Sequence, residues 1–390
     1  MKKKILIVAG EKSGDILGSK IIDCLDRNLF DISIVGGPQM EENGKSRSLF
    51  PMNDLAVMGI FELLPRLFKF VRRIKETAKF VLETSQDVLL TIDSPDFCFR
   101  VAKMVKKLDK ENRVKTFHFI APSVWFYRKG RAKKIAKLYN GLFCILPFEP
   151  PYFEKYGLKT IFVGHPIFGR ESAEYGFSAN GSAGSDYKKD SKIISLTPGS
   201  RITEIRVMLP LLLSVAARLR KNYDFSYSIL ANEDMDAILR GYLKERDISY
   251  IDVVSDPRKK MEIMGKSLLA IAKSGTNTLE IAAYSVPMVV VYRFNFLTNL
   301  IASLFLRTKS GPRCVNLINI LTGRKVIPEF LLFDCKAKNV AKDVIRLIED
   351  EEARVQQVRE NLRALESLGY GTDSSPSQLI ADEIRRSLAL

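Results

Sequence analysis

Short apolar runs rich in β-branched residues recur along both halves of the chain, and segments with helical spacing separate them. The first half contains KILIVAG, DISIVGG, DVLLTID, KTFHFIAP and FCILPF, and the second contains KIISLTPGSR, FSYSILA, SYIDVV, SLLAIAKSG and PMVVVYR. Buried strands that alternate with helices predict open parallel sheets with helices on both faces. We therefore expect an α/β protein of two doubly wound domains that face each other across a cleft.

The composition changes between residues 169 and 191, where the chain is rich in Gly, Ser and Ala and poor in apolar residues. Such a stretch is typical of a linker or a surface insertion. The expected organisation is a first domain over residues 1–168, this linker, a second domain over 192–337 and C-terminal helices over 338–390. Because those helices could pack on the first domain or on a partner subunit, the sequence leaves a homodimer open.

An excess of basic residues limits the classes of binding partner that the protein surface attracts. The 390 residues include 61 Lys and Arg against 45 Asp and Glu, a net charge of +16, so the surface attracts nucleic acid, acidic lipid or phosphorylated substrates. The five cysteines and two histidines form no metal-ligand pattern, so neither a metal nor a cofactor is expected. No apolar run approaches the ~20 residues that cross a bilayer, and the expected location is a reducing cytosol.

Four loops that follow predicted strands carry polar side chains, and ligands of doubly wound sheets bind at such loops. The first, VAGEKSGD, places Gly10, Glu11, Ser13 and Gly14 in a turn that enters a helix. We interpret it as a substrate loop. A tight turn capped by Ser13 or Asp15 explains the same residues equally well.

The second loop, in the segment IDSPDF, puts two carboxylates just after a buried strand. Asp93 lies at the strand end, where it can accept a proton from a substrate hydroxyl. Asp96 follows Pro95 and is better placed to cap the next helix. Asp93 is therefore the predicted catalytic residue.

The third loop, LTPGSR, turns at Gly199 and Ser200 and places Arg201 at the start of a helix. A guanidinium beside free N–H groups suits a phosphate, each charge-assisted hydrogen bond contributing about 1–3 kcal/mol. The alternative is an ordinary surface arginine. A phosphate site is the favoured interpretation.

The fourth loop, AKSGTNTLE, places Ser274, Gly275 and Thr276 at the start of a helix that follows a buried strand. Backbone N–H groups at this position can hold a diphosphate. Glu280 lies one turn inside the helix, where it can accept hydrogen bonds from ribose hydroxyls. A buried carboxylate without partners costs several kcal/mol, so Glu280 has either a ligand or a local capping role.

A basic amphipathic segment runs from residue 60 to residue 74. Its apolar positions repeat at helical spacing and include Ile60, Leu63, Leu64, Leu67 and Phe68. Such a helix can lie in the interface of an anionic membrane, and a core-packing helix is an equally good alternative.

The mixed aromatic and basic segment SVWFYRKGRAKKIAK also suits RNA or single-stranded DNA, but no RNA-binding module signature accompanies it. Acidic lipid is the favoured partner.

Together these motifs resemble the lipid-A-disaccharide synthases, glycosyltransferases of the GT-B type with two Rossmann-like domains. The resemblance runs in family order through VAGEKSGD, AVMGIFELL, IDSPDF, PSVWFYRKGR, LPFE, FVGHP, PGSR, KSGTNTLE, PMVVVYR and NLINILTGRKVIPE. It implies transfer of 2,3-diacylglucosamine from UDP-2,3-diacylglucosamine to 2,3-diacylglucosamine 1-phosphate. The expected products are the β(1→6) disaccharide, formed with inversion, and UDP.

The resemblance also implies roles for single residues. Asp93 matches the family's general base on the acceptor 6-hydroxyl, and Glu280 matches the ribose-binding acid. The further UDP-sugar contacts that it implies are Arg201, Asn316 and Arg293. Residues 60–67 match the acyl-chain and membrane-docking surface, which implies a peripheral enzyme on the cytoplasmic face of the inner membrane. Lys273, Asn277 and Val315 depart from the family pattern, which puts acyl-chain preference in doubt more than reaction class.

Two alternatives stay open. A UDP-sugar 2-epimerase on the same two-domain frame would release UDP from a soluble sugar nucleotide, but the basic, leucine-rich segment 60–74 would then lack a purpose. A basic nucleic-acid-binding protein would agree with the net charge, but it has no need of polar loops after the strands of both halves. We therefore expect UDP-activated acylated glucosamine and acylated glucosamine 1-phosphate as substrates, and no nucleic acid.

Overall fold

The computed structural model describes residues 2–55, 63–126, 130–168, 191–293 and 314–390. The chain divides into two compact units, the first formed by Met1–Glu171 with Asp373–Leu390 and the second by Ser172–Thr372. Each unit contains one six-stranded parallel sheet with helices packed against it. The α/β fold class predicted from the sequence is confirmed.

The first unit alternates strands and helices along the chain. Its strands are β1 (Lys3–Ala9), β2 (Phe30–Val35), β3 (Val88–Ile92), β4 (Lys115–Phe119), β5 (Gly141–Cys144) and β6 (Lys159–Phe162). Its helices up to the linker are α1 (Lys12–Cys24), α2 (Pro38–Gly44), α3 (Leu63–Glu83), α4 (Pro95–Leu108), α5 (Arg131–Ala136) and α6 (Pro151–Glu154), with a 3-10 turn at Met52–Leu55. The strand order is β2-β1-β3-β4-β5-β6, so the order reverses between β1 and β3.

The second unit repeats this plan. Its strands are β7 (Ile193–Thr197), β8 (Ser226–Leu230), β9 (Ile251–Val254), β10 (Leu269–Lys273), β11 (Met288–Tyr292) and β12 (Glu329–Leu331). Its helices are α7 (Ile202–Leu219), α8 (Asp236–Lys244), α9 (Pro257–Lys266), α10 (Asn277–Ala283), α11 (Leu317–Thr322), α12 (Ala337–Glu349) and α13 (Glu351–Glu366), with 3-10 turns at Glu233–Met235 and Leu332–Asp334. The strand order is β12-β11-β10-β7-β8-β9, which reverses between β7 and β10.

The strands are continuous apolar runs because helices cover both faces of each sheet. In β1, Ile5 and Ile7 belong to one buried cluster, while Leu6 and Val8 belong to the cluster on the opposite face, beneath α3 and α4. Because successive side chains of a strand point to opposite faces, one short strand contributes side chains to the hydrophobic clusters on both faces of the sheet.

The C-terminal segment is divided between the two units. The last helix, α14 (Pro376–Ser387), packs on α1, and its Ile380 and Ile384 are fully buried in the same cluster as Ile5. Lys159 of β6 forms an ion pair with Glu383 of α14. Helices α12 and α13 belong to the second unit, so the segment 338–390 is not one structural element.

The loop after β2 is anchored by Asp15 of α1, a side chain only 2% exposed. Its carboxylate accepts hydrogen bonds from the backbone N–H groups of Gly37 at 2.8 Å, Met40 at 3.1 Å and Gln39 at 3.2 Å. These N–H groups lie at the start of α2, so Asp15 caps a helix distant from its own in sequence. This bonding accounts for Asp15 without any ligand.

We expect Asp15→Ala to lower the free energy of unfolding by about 1–3 kcal/mol, because it leaves buried N–H groups without an acceptor. Urea unfolding followed by circular dichroism measures the change. Asp31→Ala, at an exposed position of β2, is the matched control and should change stability little. Equal stability of the two variants would contradict the anchoring role of Asp15.

Candidate active site

In the first unit, the strand order reverses between β1 and β3, and a crevice forms at such a switch point. Gly10 follows β1 and Ser94 lies in the loop after β3. A Cβ atom built on Gly10 would lie 2.6 Å from the Ser94 Oγ, so only glycine allows the two loops this approach. The topology therefore brings together two of the four loops identified in the sequence.

The loop after β3 has an unusual backbone. Asp93 and Ser94 have φ angles of 47° and 43°, which place two consecutive non-glycine residues in the left-handed region. Each such residue costs on the order of 1 kcal/mol or more, and strained residues of this kind cluster at functional sites. The N–H of Asp93 donates to the carbonyl of Phe119 on the neighbouring β4 at 3.0 Å, which holds the strained residue in place.

The carboxylate of Asp93 is influenced by the negative charge of Glu11. Burial raises the pKa of Asp93, the negative charge of Glu11 raises it further, and the backbone N–H of Ser94 lowers it in part. A carboxylate with a raised pKa is a stronger proton acceptor than an ordinary aspartate. The structure thus pairs the predicted base with Glu11, a residue that the sequence indicated only as part of a loop.

The remaining residues of the first loop have different surroundings. Glu11 is the N-cap residue of α1, and its side chain makes no capping hydrogen bond. Ser13 is exposed in the first turn of α1, and Gly14 is buried, its position for a Cβ lying 3.1 Å from the Cβ of Ala9. Gly14 is therefore explained by close packing of α1 on β1.

In the second unit, the strand order reverses between β7 and β10, which brings the two predicted anion loops together. The amide of Asn277 donates to the Thr197 hydroxyl at 2.9 Å. The ammonium of Lys273 lies 2.9 Å from the Glu204 Oε1. Both contacts join residues that flank the loop after β7 to residues that flank the loop after β10.

The loop after β7 presents a cation. Gly199 has a φ of 117°, which favours glycine, and Ser200 donates its N–H to the Glu204 Oε2 at 3.1 Å. The side chain of Arg201 is 63% exposed and its Nη1 lies 3.9 Å from the Glu204 Oε1. Because this contact is long and exposed, the guanidinium of Arg201 is available to an anion.

The loop after β10 is only partly as predicted. The N–H of Ser274 donates to the Val291 carbonyl of β11 at 3.0 Å, so this amide is already occupied. The N–H groups of Gly275 and Thr276 have no hydrogen-bond acceptor among the described residues. The amides that remain for an anion are those of Gly275 and Thr276.

Glu280 lies inside α10, and burial raises its pKa while the positive charge of Lys260 offsets part of the rise. Within the described part of the chain, no hydrogen bond reaches its carboxylate. The local capping role considered for Glu280 is therefore absent from the described contacts, and its half-buried carboxylate has no hydrogen-bond donor among them.

Asn316 lies beside the loop after β10, because Ser274 Oγ donates to the Val315 carbonyl at 3.5 Å. The side chain of Asn316 is 1% exposed, and its Oδ1 caps α11 by accepting the Ile318 N–H at 2.9 Å. Its Nδ2 is buried and has no partner among the described residues. Both hydrogens of this amide nitrogen are therefore without an acceptor among the described residues.

Glu329, the first residue of β12, positions this segment. Its buried carboxylate accepts the N–H of Val315 at 3.0 Å, the N–H of Asn316 at 2.9 Å and the side-chain amide of Asn319 at 2.7 Å. The sequence places Glu329 in the VIPE motif but does not reveal this bonding. Glu329 therefore acts on the site by holding Asn316.

The membrane segment is described in part. Ile60 lies outside the described residues, and for Leu63, Leu64 and Leu67 the structure gives the helical backbone alone. Phe68, on the next turn of α3, is 74% exposed. Among the described helices, none is both long and apolar enough to cross a membrane.

The only tryptophan, Trp125, is held by the protein itself. Its indole N–H donates to the buried Glu149 at 3.2 Å, and its ring makes edge contacts with Phe126 and Phe148. Burial raises the pKa of Glu149 to about 7. The indole considered as a nucleic-acid contact is therefore part of the packing of the loops after β4 and β5.

Arg293 follows β11 and is exposed. Within the described ranges, no group of three or more His, Cys, Asp or Glu side chains is arranged to hold a metal ion. Among the described residues, the first unit thus offers the carboxylates of Asp93 and Glu11. The second offers the Arg201 guanidinium, the N–H groups of Gly275 and Thr276, the Asn316 amide and the Glu280 carboxylate.

Solved structures share this fold at low sequence identity. A structure of S. aureus MnaA with UDP gives a TM-score of 0.63 at 14% identity, covering 100% of this chain and 97% of that one. UDP-GlcNAc 2-epimerase from Neisseria meningitidis, bound to UDP-GlcNAc, gives 0.60 at 13% identity and covers 99% of each chain. At these identities the likeness shows the fold alone, which is the predicted GT-B type.

Comparison at the level of sequence is more specific. The profile of the lipid-A-disaccharide synthetase family matches residues 5–382. The lipid-A-disaccharide synthase of Rickettsia bellii (strain OSU 85-389) is 38% identical over 389 residues, covering 98% of this chain and 99% of the relative. That of Rickettsia prowazekii (strain Madrid E) is 37% identical over 387 residues, with the same coverage. The chain therefore belongs to the lipid-A-disaccharide synthase family and is a glycosyltransferase.

Proposed function

We propose that this protein joins UDP-2,3-diacylglucosamine to 2,3-diacylglucosamine 1-phosphate, forming the β(1→6) lipid A disaccharide 1-phosphate and UDP. The observation that carries the proposal is the placement of Asp93 after β3, with a raised pKa, in strained backbone and beside Glu11. Membership of the synthase family supports the substrate classes. The solved relatives named as epimerases support only the fold, so the epimerase alternative gains nothing from them.

Asp93 acts as the general base in this proposal. One of its carboxylate oxygens accepts the proton of the acceptor's 6-hydroxyl while the hydroxyl oxygen attacks the anomeric carbon of the donor. The bond from this carbon to the diphosphate breaks in the same displacement, and its electron pair leaves with UDP. Attack opposite the leaving group inverts the anomeric centre, so an α-linked donor gives a β-linked product.

The second unit supplies the groups that stabilise the departing diphosphate. Arg201 offers an exposed guanidinium, and the N–H groups of Gly275 and Thr276 are free of protein acceptors in the described residues. Fixed donors directed at developing negative charge lower the barrier of the transfer. In the same proposal Glu280 accepts hydrogen bonds from the ribose hydroxyls, and Asn316 donates its free amide hydrogens to the nucleotide.

The test of this function is incubation of the protein with acylated donor and lipid acceptor in detergent, followed by mass spectrometry. The expected product is the disaccharide 1-phosphate. Asp93→Asn should lower its rate of formation by about 10²–10⁴-fold, because the general base is lost, while UDP binding measured by calorimetry persists. Unimpaired turnover of Asp93→Asn would remove Asp93 from the base role, and 2-epimerisation of UDP-GlcNAc in place of transfer would overturn the function.

The pH dependence should reveal the coupling between Glu11 and Asp93. Since the base works ionised, kcat/KM falls as the pH drops through the pKa of Asp93, which burial and Glu11 hold above the usual aspartate range. Glu11→Gln removes a negative neighbour, so it should lower this pKa and move the acid limb of the profile to lower pH. Glu366→Gln, an exposed position of α13, should leave the limb in place. An unmoved limb in Glu11→Gln contradicts the coupling.

We further propose that α3 attaches the protein to the anionic cytoplasmic face of the inner membrane. The support is the exposure of Phe68 and Val71 on a helix that also carries Arg72 and Lys75. Apolar side chains enter the lipid interface, and each basic residue adds roughly 1 kcal/mol near an anionic surface.

Phe68→Asp should weaken sedimentation of the protein with vesicles that contain anionic phospholipid, because it places a charge where an apolar ring enters the interface. Ile238→Asp changes an exposed apolar residue of α8 in the second unit and is the control. Equal loss in both variants, or no loss in either, would contradict docking through α3.

A further inference from the structure

An internal carboxylate occupies the loop that the proposed function assigns to the donor diphosphate. Glu204, in the first turn of α7, accepts the Ser200 N–H at 3.1 Å through Oε2 and the Lys273 ammonium at 2.9 Å through Oε1. The Arg201 Nη1 lies 3.9 Å from the same Oε1. A backbone N–H, an ammonium and a guanidinium are the partners that a phosphate oxygen takes at such a loop.

The carboxylate fills the inner side of this loop. A Cβ built on Gly199 would lie 2.5 Å from the Glu204 Oε2, so glycine is what allows the carboxylate to approach. Burial acts to raise the pKa of Glu204, but the Lys273 hydrogen bond and charge, the Ser200 N–H and Arg201 outweigh it and lower the pKa. Glu204 is therefore an anion at neutral pH.

Lys273 lies between the loop after β7 and the loop after β10. It is the last residue of β10, its side chain is 17% exposed, and its ammonium lies 5.5 Å from the centre of the Tyr292 ring. The same ammonium is 3.8 Å from the position of a Cβ on Gly275, whose free N–H belongs to the proposed diphosphate site. Lys273 thus pairs with Glu204 while lying beside the second anion loop.

We infer that Glu204 holds the diphosphate site in the absence of donor and that the donor displaces it, with Lys273 as a further diphosphate-binding residue. This inference rests on the proposed function. The single N–H of Ser200 cannot serve two anions, and a phosphate beside the Lys273 ammonium would repel the Glu204 carboxylate, so these donors pass from carboxylate to phosphate when the donor binds. The released carboxylate turns to solvent, to which Glu204 is already 20% exposed.

Displacement of Glu204 and a purely structural ion pair predict opposite changes in UDP affinity when the charge of Glu204 is removed. If Glu204 competes with phosphate, Glu204→Gln should bind UDP several-fold more tightly than the parent protein, because the competing charge is gone. If Glu204 only holds the loop in shape, the same variant should bind UDP more weakly. Lys273→Met should weaken UDP binding about ten-fold, the loss expected for one charge-assisted hydrogen bond, and should weaken UMP binding much less.

Calorimetric titration of the full chain with UDP, UMP and inorganic diphosphate measures these affinities. The matched controls are Glu262→Gln and Lys266→Met, which break an exposed Glu–Lys pair of α9 with a 2.6 Å contact and should leave all three affinities unchanged. Glu204→Asp keeps the charge but withdraws the carboxylate from the loop by one methylene group, so this variant too should bind UDP more tightly. It serves as the test if Glu204→Gln does not fold. Thermal melting confirms that each variant is folded.

The outcomes separate this inference from the proposed function. Weaker or unchanged UDP binding in Glu204→Gln and Glu204→Asp overturns the displacement, and unchanged binding in Lys273→Met overturns the role of Lys273. In both cases, the proposed function is still supported if the parent protein forms the disaccharide. A parent protein that forms no disaccharide and binds no UDP would instead refute the function on which the inference rests.

Discussion

The reversal of strand order within each sheet is the constraint on which the rest of the structure depends. A parallel sheet is built by crossover connections, and where successive crossovers leave in opposite directions, the loops on either side separate at the carboxyl ends of two adjacent strands. In the first unit these strands are β1 and β3, and in the second they are β7 and β10. The loops bearing Asp93, Arg201 and Gly275 all lie at these two points.

The two switch points have opposite electrostatic character. In the first, burial and the neighbouring Glu11 make Asp93 a stronger base than an isolated aspartate. In the second, Lys273 and Arg201 surround Glu204, so the loops carry an excess of positive charge around one ionised carboxylate. Glycosyl transfer from a nucleotide requires these two properties, a proton acceptor for the nucleophile and a stabiliser for the departing anion.

Buried carboxylates stabilise further segments of both units. Asp15 ties the start of α2 to α1, and Glu329 fixes the backbone of Val315 and Asn316. The protein satisfies the hydrogen bonds of both carboxylates, whereas no hydrogen bond among the described residues reaches the carboxylate of Glu280. Carboxylates of the described residues therefore differ according to whether the fold already supplies their hydrogen-bond donors.

Local patterns in the sequence determined the strands, the α/β class, the loops that follow the strands and the position of Asp93, because apolar periodicity and turn residues act over a few neighbours. Only the tertiary structure decided which loops meet, since strand order depends on packing of distant segments. It also decided that the Ser274 amide bonds to Val291, that Glu204 pairs with Lys273, and that α14 completes the first core. Those contacts join residues far apart in the chain, and no local rule specifies their register.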